Sequence, residues 1–378
     1  MNIDWTEEQR MLAKTLEEFA DSELAPKAEA LDEKEEFNEA AFRKMGGLGL
    51  LGITASEEYG GSGMGAMEAT MVMDVFGARC ASTTLSYLAH SILCVNNLFE
   101  NASPEQKKKY LPKLISGEHI GAMAMTEPGA GSDALGLQTR AVKKGNKYIL
   151  NGSKTYITNG TLADTLVVYA RTGNAKKEIS TFIVEKGFKG FRVGRKLHKM
   201  GMRASPTAEL AFEDCEVPAE NIVGHENDSV AHMMRNLNIE RITISGISVG
   251  IAKACLAYST KYASERSQFG KTIGQFQMVQ ERIAEMAANT AAADALLYNS
   301  AKAYDAGNRD MSLGAKAKLF CAQIATQAGL DAIQILGGYG YMKEYPVERY
   351  MRDAKLMEIG AGTNEVMRLI IARELIPE

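Results

Sequence analysis

Acidic side chains set into apolar helix are the first places to look for proton chemistry, because a buried carboxylate is costly unless it is paired or used. The stretch MMRNLNIERITISGISVG holds one such acid. Glu240 stands between Ile239 and Arg241, with Leu237, Arg241 and Ile244 on its face at helical spacing. A carboxylate there either pairs with a basic group on another helix or takes a proton from a bound molecule. A second stretch, EIGAGTNEV, has small residues at Gly360, Ala361 and Gly362, then Thr363 as an N-cap for a helix. Glu358 and Glu365 flank that turn, and neither needs to face a ligand.

Three glycine-bearing segments add possible ligand contacts. In AMTEPGAGSD, residues 124–133, glycines and a proline force an irregular turn with free backbone N–H groups. Such a nest can hold a polar or anionic group, with Thr126 and Ser132 adding hydroxyls; a plain tight turn uses the same residues. In ERSQFGKTIGQFQ, Arg266 can bind a phosphate or pair with a glutamate. In IQILGGYGY, Gly337 and Gly338 can serve as a helix C-cap. A GxGxxG match at residues 47–52 follows a helical stretch and no strand, so a dinucleotide fingerprint is rejected. YGGSGMGAME reads as a surface loop. The five histidines form no ligand spacing, and no metal site is expected.

The elements that must position these residues fall into three textures. TEEQRMLAKTLEEFADSELAPKAEAL is helical and breaks at Pro26; MEATMVMDVFGARC, SYLAHSILCVNNLF and SPEQKKKYLPKLISG continue as helices. From about Ile120, short β-branched and aromatic runs separated by Gly and Asn turns predict an antiparallel sheet, a small barrel or sandwich. No proline occurs between Pro218 and Pro346, an interval rich in Ala, Leu, Met, Glu and Lys that predicts long helices. The fold class is therefore α+β multidomain: a helical domain over 1–119, a β domain over 120–227 and a C-terminal four-helix bundle over 228–378.

Bulk properties narrow the function. A chain of 378 residues exceeds one ordinary core, and 46% apolar with 24% charged residues is a globular balance. A net charge of −4 gives no reason to expect nucleic acid. The five scattered cysteines suit buried free thiols. No apolar run reads as a membrane span and the acidic, amphipathic N-terminus is unlike a leader, so a cytoplasmic or already processed protein without a membrane partner is expected, the cytoplasm being favoured.

The segments AMTEPGAGSD, NGSKTYITNG, ERSQFGK, IQILGGYGY, RDAKLMEIGAGTNEV and RLIIARELI resemble, in order, the signature segments of the acyl-CoA dehydrogenase family. The resemblance implies FAD, an acyl-CoA substrate, an electron-transfer flavoprotein as acceptor and a homotetramer in which a neighbouring subunit completes the flavin site. By motif, Met123, Ala124, Met125, Thr126 and Ser132 would run along the flavin. Tyr156, Ile157 and Thr158 would lie beside its ring, Tyr156 standing where the family commonly has Trp. Arg266, Gln277, Gln334, Gly337 and Gly338 would hold the pyrophosphate and adenine part across the subunit interface. Thr363, Asn364 and Glu365 would cap the cofactor. Ser132, Asn238, Arg241, Gly360, Ala361 and Gly362 would contact the acyl-CoA.

The family usually carries its catalytic carboxylate where this chain has Ala361. Its isovaleryl-CoA dehydrogenase branch resembles this chain in lacking that acid and in having a Glu-Arg pair on the earlier helix. The resemblance therefore assigns the base to Glu240. Gly360 and Ala361 replace the Tyr-Glu pair common in straight-chain members, which leaves room for a methyl branch and favours isovaleryl-CoA, as in leucine breakdown. A dehydrogenase or enoyl-CoA reductase for another bulky acyl-CoA, and a non-catalytic CoA-binding member, are the alternatives.

Overall fold

In the computed structural model, which describes residues 5–376, helices come first, a sheet second and long helices last. The first helices are α1 (Glu7–Phe19), α2 (Ala28–Lys34), α3 (Glu39–Gly47), α4 (Ala66–His90), α5 (Asn97–Asn101) and α6 (Pro104–Ile115). Their starts follow local chemistry: Thr6 with Gln9, and Ser103 with Gln106, form capping boxes on α1 and α6. Pro26 does not break the chain's helical path as expected. A π turn over Ala20–Leu24 and a 3-10 turn over Ala25–Lys27 carry it into α2. Pro26 sits in the first turn of the new helix, where a missing N–H forfeits no bond. The two helices expected between residues 67 and 99 share one run, α4, kinked at Cys80 (φ −152°, ψ 89°), which a π turn then joins to α5. The glycines at 47–52 do follow a helix, α3, as their rejection required.

Eight strands form the middle sheet: β1 (Gly121–Ala124), β2 (Arg140–Lys144), β3 (Lys147–Thr158), β4 (Thr165–Arg171), β5 (Ile179–Glu185), β6 (Phe191–Lys196), β7 (Thr207–Pro218) and β8 (Ile222–Val223). Their order is β6-β7-β3-β2-β4-β5-β8, with β1 beside β4. The sheet is not wholly antiparallel: β1 and β2 both pair with β4 in parallel. Every residue of β4 is buried, because its two faces enter two different cores. Leu166, Val168 and Ala170 join Phe182 and Phe212 inside the sheet domain. Val167 and Tyr169 point the other way, into a core shared with α6 and with Leu237 of the following helix.

That helix, α7 (Ser229–Glu265), is the longest element, followed by a short hairpin of β9 (Ser267–Gln268) and β10 (Lys271–Thr272). Then come α8 (Gln277–Asp305), α9 (Met311–Leu336), α10 (Val347–Met357) and α11 (Asn364–Leu375). α7 crosses α4 at backbone contact: a Cβ at Gly250 would lie 2.3 Å from the Asp74 carbonyl oxygen, and one at Gly246 2.8 Å from Met73 Cβ. An ion pair ties the same crossing, with Lys253 2.6 Å from the buried Asp74 and also 2.6 Å from Asp294 of α8. The expectation of no membrane-length apolar run needs correction, since Ser229–Glu265 and Met311–Tyr341 are long and apolar enough by length and composition. They are apolar because they form the bundle's interior: 72% of the α7 window and 50% of the second are buried.

Candidate active site

Glu240 lies midway along the apolar half of α7 and is only 6% exposed. Its Oε2 atom has no hydrogen-bond partner among the described residues. Burial drives its pKa up to about 7, against the smaller pull of the Arg241 and Lys318 charges. A carboxyl group of that acidity is balanced between holding and accepting a proton near neutrality.

Arg241, the next residue, turns toward the C-terminal turn and donates its Nε to the Ala361 carbonyl oxygen at 3.2 Å. That turn is backbone-strained: Ala361 takes a left-handed φ of 56° and Gly362 follows at 94°. Thr363 caps α11 through the Val366 N–H, as its sequence position predicts. Lys318 of α9, fully buried, donates to Asn364 Oδ1 at 3.1 Å from the opposite side. Among the described residues the Ala361 N–H meets no acceptor. Glu358 and Glu365, the two acids flanking the turn, are paired with Lys355 and Arg368.

A second cluster lies where the loop after β1 meets β3. Glu127 accepts from the Thr139 N–H at 3.0 Å and from Lys154 Nζ at 2.7 Å. Lys154 also donates to the Met125 carbonyl at 3.0 Å, and the Thr155 N–H to the Thr126 carbonyl at 2.9 Å. The 124–133 segment is thus a rigid turn bolted to β3. Its upper face is open: a Cβ at Gly129 or Gly131 would meet nothing within 4 Å, and the Ser132 side chain is exposed. Two residues past Lys154, Tyr156 occupies a left-handed φ of 59° at a register shift in β3, with its ring 70% exposed. A strained, exposed aromatic beside an open glycine turn is the arrangement a flat heterocycle needs, and these residues fit a flavin. Ala124 and Ile157 offer it backbone only, since their side chains are in the sheet core. Thr158 ends β3 half-buried, and Met123 takes the Asn236 amide on its sulfur at 3.7 Å.

Not every predicted contact gathers here. Asn238 points away from the turn, donating to the carbonyls of Arg309 and Asp310 in the α8–α9 connection at 3.2 and 3.4 Å, so its placement is that of a loop anchor. Arg266 and Gly337 and Gly338 line a separate cleft of about 410 Å³, in which the Arg266 guanidinium stacks over Tyr339 at 5.5 Å. Gly337 also ends α9 as a C-cap (φ 60°). Gln277 and Gln334 are exposed at the start of α8 and the end of α9. Along α7, Arg266 is about 39 Å from Glu240 at 1.5 Å per residue. The two groups of residues cannot hold one compact ligand within a single chain. Sequence reasoning missed Lys318 and the Glu127/Lys154 pair. The only signal for Lys318 is a lysine inside the apolar run GAKAKLFCAQIA.

Comparison with known proteins bears on the family of the chain as a whole. Acyl-CoA dehydrogenase N-terminal, middle and C-terminal domain models match residues 6–118, 122–215 and 230–376. The chain is 49% identical to isovaleryl-CoA dehydrogenase, mitochondrial, of Pongo abelii, over 97% of this chain and 88% of that one. It superposes at a TM-score of 0.97, with 43% identity and full coverage of both chains, on a structure described as the electron transferring flavoprotein of Acidaminococcus fermentans. An FAD complex of PigA superposes at 0.95 with 32% identity, over 99% of each chain. With all three of its domains matched in order, the chain belongs to the acyl-CoA dehydrogenase family and is an FAD-dependent enzyme that dehydrogenates an acyl-CoA.

Proposed function

We propose that the protein dehydrogenates a branched short-chain acyl-CoA between its α- and β-carbons, that isovaleryl-CoA is the favoured substrate, and that Glu240 is the base. The observation that carries this reading is the buried carboxylate with an unpartnered oxygen on α7, in a chain whose residue 361 is an alanine. An α C–H is a poor acid, so its removal needs a base whose pKa lies near the working pH and a polarised thioester carbonyl. Glu240 meets the first need. The Ala361 N–H, without an acceptor of its own and held by Arg241 through the same residue's carbonyl, is the donor that meets the second. FAD, when bound, supplies the hydride acceptor.

Space near the turn supports the branched substrate. A Cβ at Gly360 would meet nothing closer than the Leu356 carbonyl oxygen at 3.5 Å, so the glycine leaves a volume that a larger residue would fill. Tyr156, Thr158, Met125, Thr126 and Ser132 are the residues we assign to the flavin ring and its chain, and Thr363, Asn364 and Glu365 to its far side. The Arg266 cleft with Gln277 and Gln334 is too far from Glu240 to serve the same flavin in one chain. A second copy placing that cleft over the first copy's flavin fits this separation, and a homotetramer is the assembly we propose. An electron-transfer flavoprotein is the proposed acceptor, in keeping with the flavoprotein for which the Acidaminococcus structure is named.

Anaerobic titration of the yellow protein with isovaleryl-CoA, beside butyryl-CoA and with Glu240→Gln as control, tests the reading. Fast bleaching by isovaleryl-CoA, weak bleaching by butyryl-CoA and none in the variant is the expected result. Absence of bleaching by isovaleryl-CoA would discard the substrate, and bleaching by Glu240→Gln would discard the base.

A further inference from the structure

Lys318 lies on α9 amid Leu319, Cys321 and Ala322, and is 1% exposed. A lysine buried so completely is expensive to keep, and packing alone would be served by an apolar side chain of similar volume. Two neighbours explain it. Its ammonium donates to the side chain of Asn364, the first residue of α11 and three places after Ala361. Its charge also acts on the Glu240 carboxylate across the α7–α9 contact. Arg241 does the same two things from α7, donating to the Ala361 carbonyl while lying beside Glu240. The 360–364 turn is therefore gripped by two cations from two helices, and the charge of both also acts on the Glu240 carboxylate without a direct ion pair.

We propose that Lys318 is a positioning residue of the reaction: through Asn364 it holds the turn that carries the Ala361 N–H, and with Arg241 it supplies positive charge that acts on the Glu240 carboxylate. This rests on Glu240 being the base. The titratable groups whose charge couples to Glu240 are Arg241 on its own helix, Lys318 on α9 and the Tyr169 phenol on β4, which burial, with a contribution from Glu240, raises to about 12. Around Lys318 stand Arg241, Glu358, Glu240 and Glu365, while burial, reinforced by Arg241, lowers its pKa to about 8. Over the acid side of neutrality Lys318 is thus charged while Glu240 titrates. Removing that charge leaves burial to act more fully on Glu240 and moves its titration to higher pH.

The test uses the full-length, FAD-loaded enzyme and the pH dependence of kcat/KM with isovaleryl-CoA. Lys318→Gln keeps a donor for Asn364 without the charge, Lys318→Met removes both, and Lys318→Arg keeps the charge. The acid limb should move alkaline by about 0.5–1 pH unit in both neutral variants, less than the 1–3 units of a direct ion pair. Lys318→Arg should bring it back. The plateau kcat should fall roughly tenfold further in Lys318→Met than in Lys318→Gln, because the turn loses its grip. A loaded neutral variant whose limb coincides with the wild type would overturn the proposal. Failure of both neutral variants to load FAD, with Lys318→Arg normal, would also overturn it by assigning the charge to folding alone. Activity surviving in Glu240→Gln would instead strike the choice of base.

Discussion

Glu127 and Glu240 are equally hidden, each 6% exposed, yet they live in opposite surroundings. Around Glu127, burial pushes the pKa up, but the Lys154 charge and hydrogen bonds from Lys154, Thr139 and Gln138 outweigh it and hold the carboxyl below its usual range. Around Glu240, burial wins, and Arg241 and Lys318 only moderate it. One carboxylate is satisfied and fixes a loop to a strand. The other is left short of partners, the condition that suits the role of base we propose for it. Burial of an acid therefore says little about its role; the number of its partners says much.

The sharpest way to break this contrast is to neutralise each glutamate. Glu240→Gln should lower kcat by about 10²–10⁴-fold, the usual loss of a general base, while FAD content is retained; stopped-flow flavin bleaching reads it. Its melting temperature at neutral pH should stay level or rise, because an unpaired buried carboxylate has been removed. The same change at Glu127 should act on folding instead. Glu127→Ala strands Lys154 and should destabilise the protein by about 3–5 kcal/mol in denaturant melts, with loss of FAD. A double variant, Glu127→Gln with Lys154→Met, should recover part of that loss.

The pH dependence of stability sharpens the comparison further. Glu240 keeps its proton in the folded protein up to about pH 7, whereas the unfolded chain releases it near 4.5. The folded state then binds more protons over that window, so the stabilisation is fully present below pH 4.5 and lost as the pH rises through about 7. The size is on the order of 3 kcal/mol at about 1.36 kcal/mol per unit. Glu240→Gln should remove this slope, seen as a widening gap between variant and wild-type melts from acid to neutral pH. Asp353, raised by burial to about 7, adds a slope of the same sign that the variant should leave in place. The smallest effect is expected at the ring we assign to the flavin: Tyr156→Trp should change kcat/KM by less than about threefold, because either aromatic covers a flat ring. A larger loss would show that the left-handed backbone at Tyr156 tolerates only the smaller side chain.

How much was legible beforehand follows from the range of each interaction. The Thr363 and Ser103 caps, the Gly337 C-cap, the switch from helix to strands at Gly121 and the long helices after Pro218 depend on neighbours within a few residues. They could be read directly. Pro26 misled because the same residue both ends helices and begins them, and only the path of the next turn distinguishes the two. Glu240 was legible as an oddity, an acid in an apolar helix, but its solitude was not. That depends on which groups the folded chain brings near it.

What the sequence by itself determined is the order of helical, sheet and helical blocks, the family signature, and the pairing of a bare Ala361 with an acid at Glu240. The tertiary structure alone decided that Lys154 answers Glu127 across 27 residues, that Lys318 reaches Asn364 across 46, and that Arg241 meets the Ala361 carbonyl across 120. It also turned Asn238 toward the 309–310 connection and set Arg266 far down α7 from the carboxylate. Propensity and capping act through a residue's own backbone and its near neighbours. Electrostatic partnership acts through space, and the distance in space between residues so far apart in the chain exists only once the helices have packed.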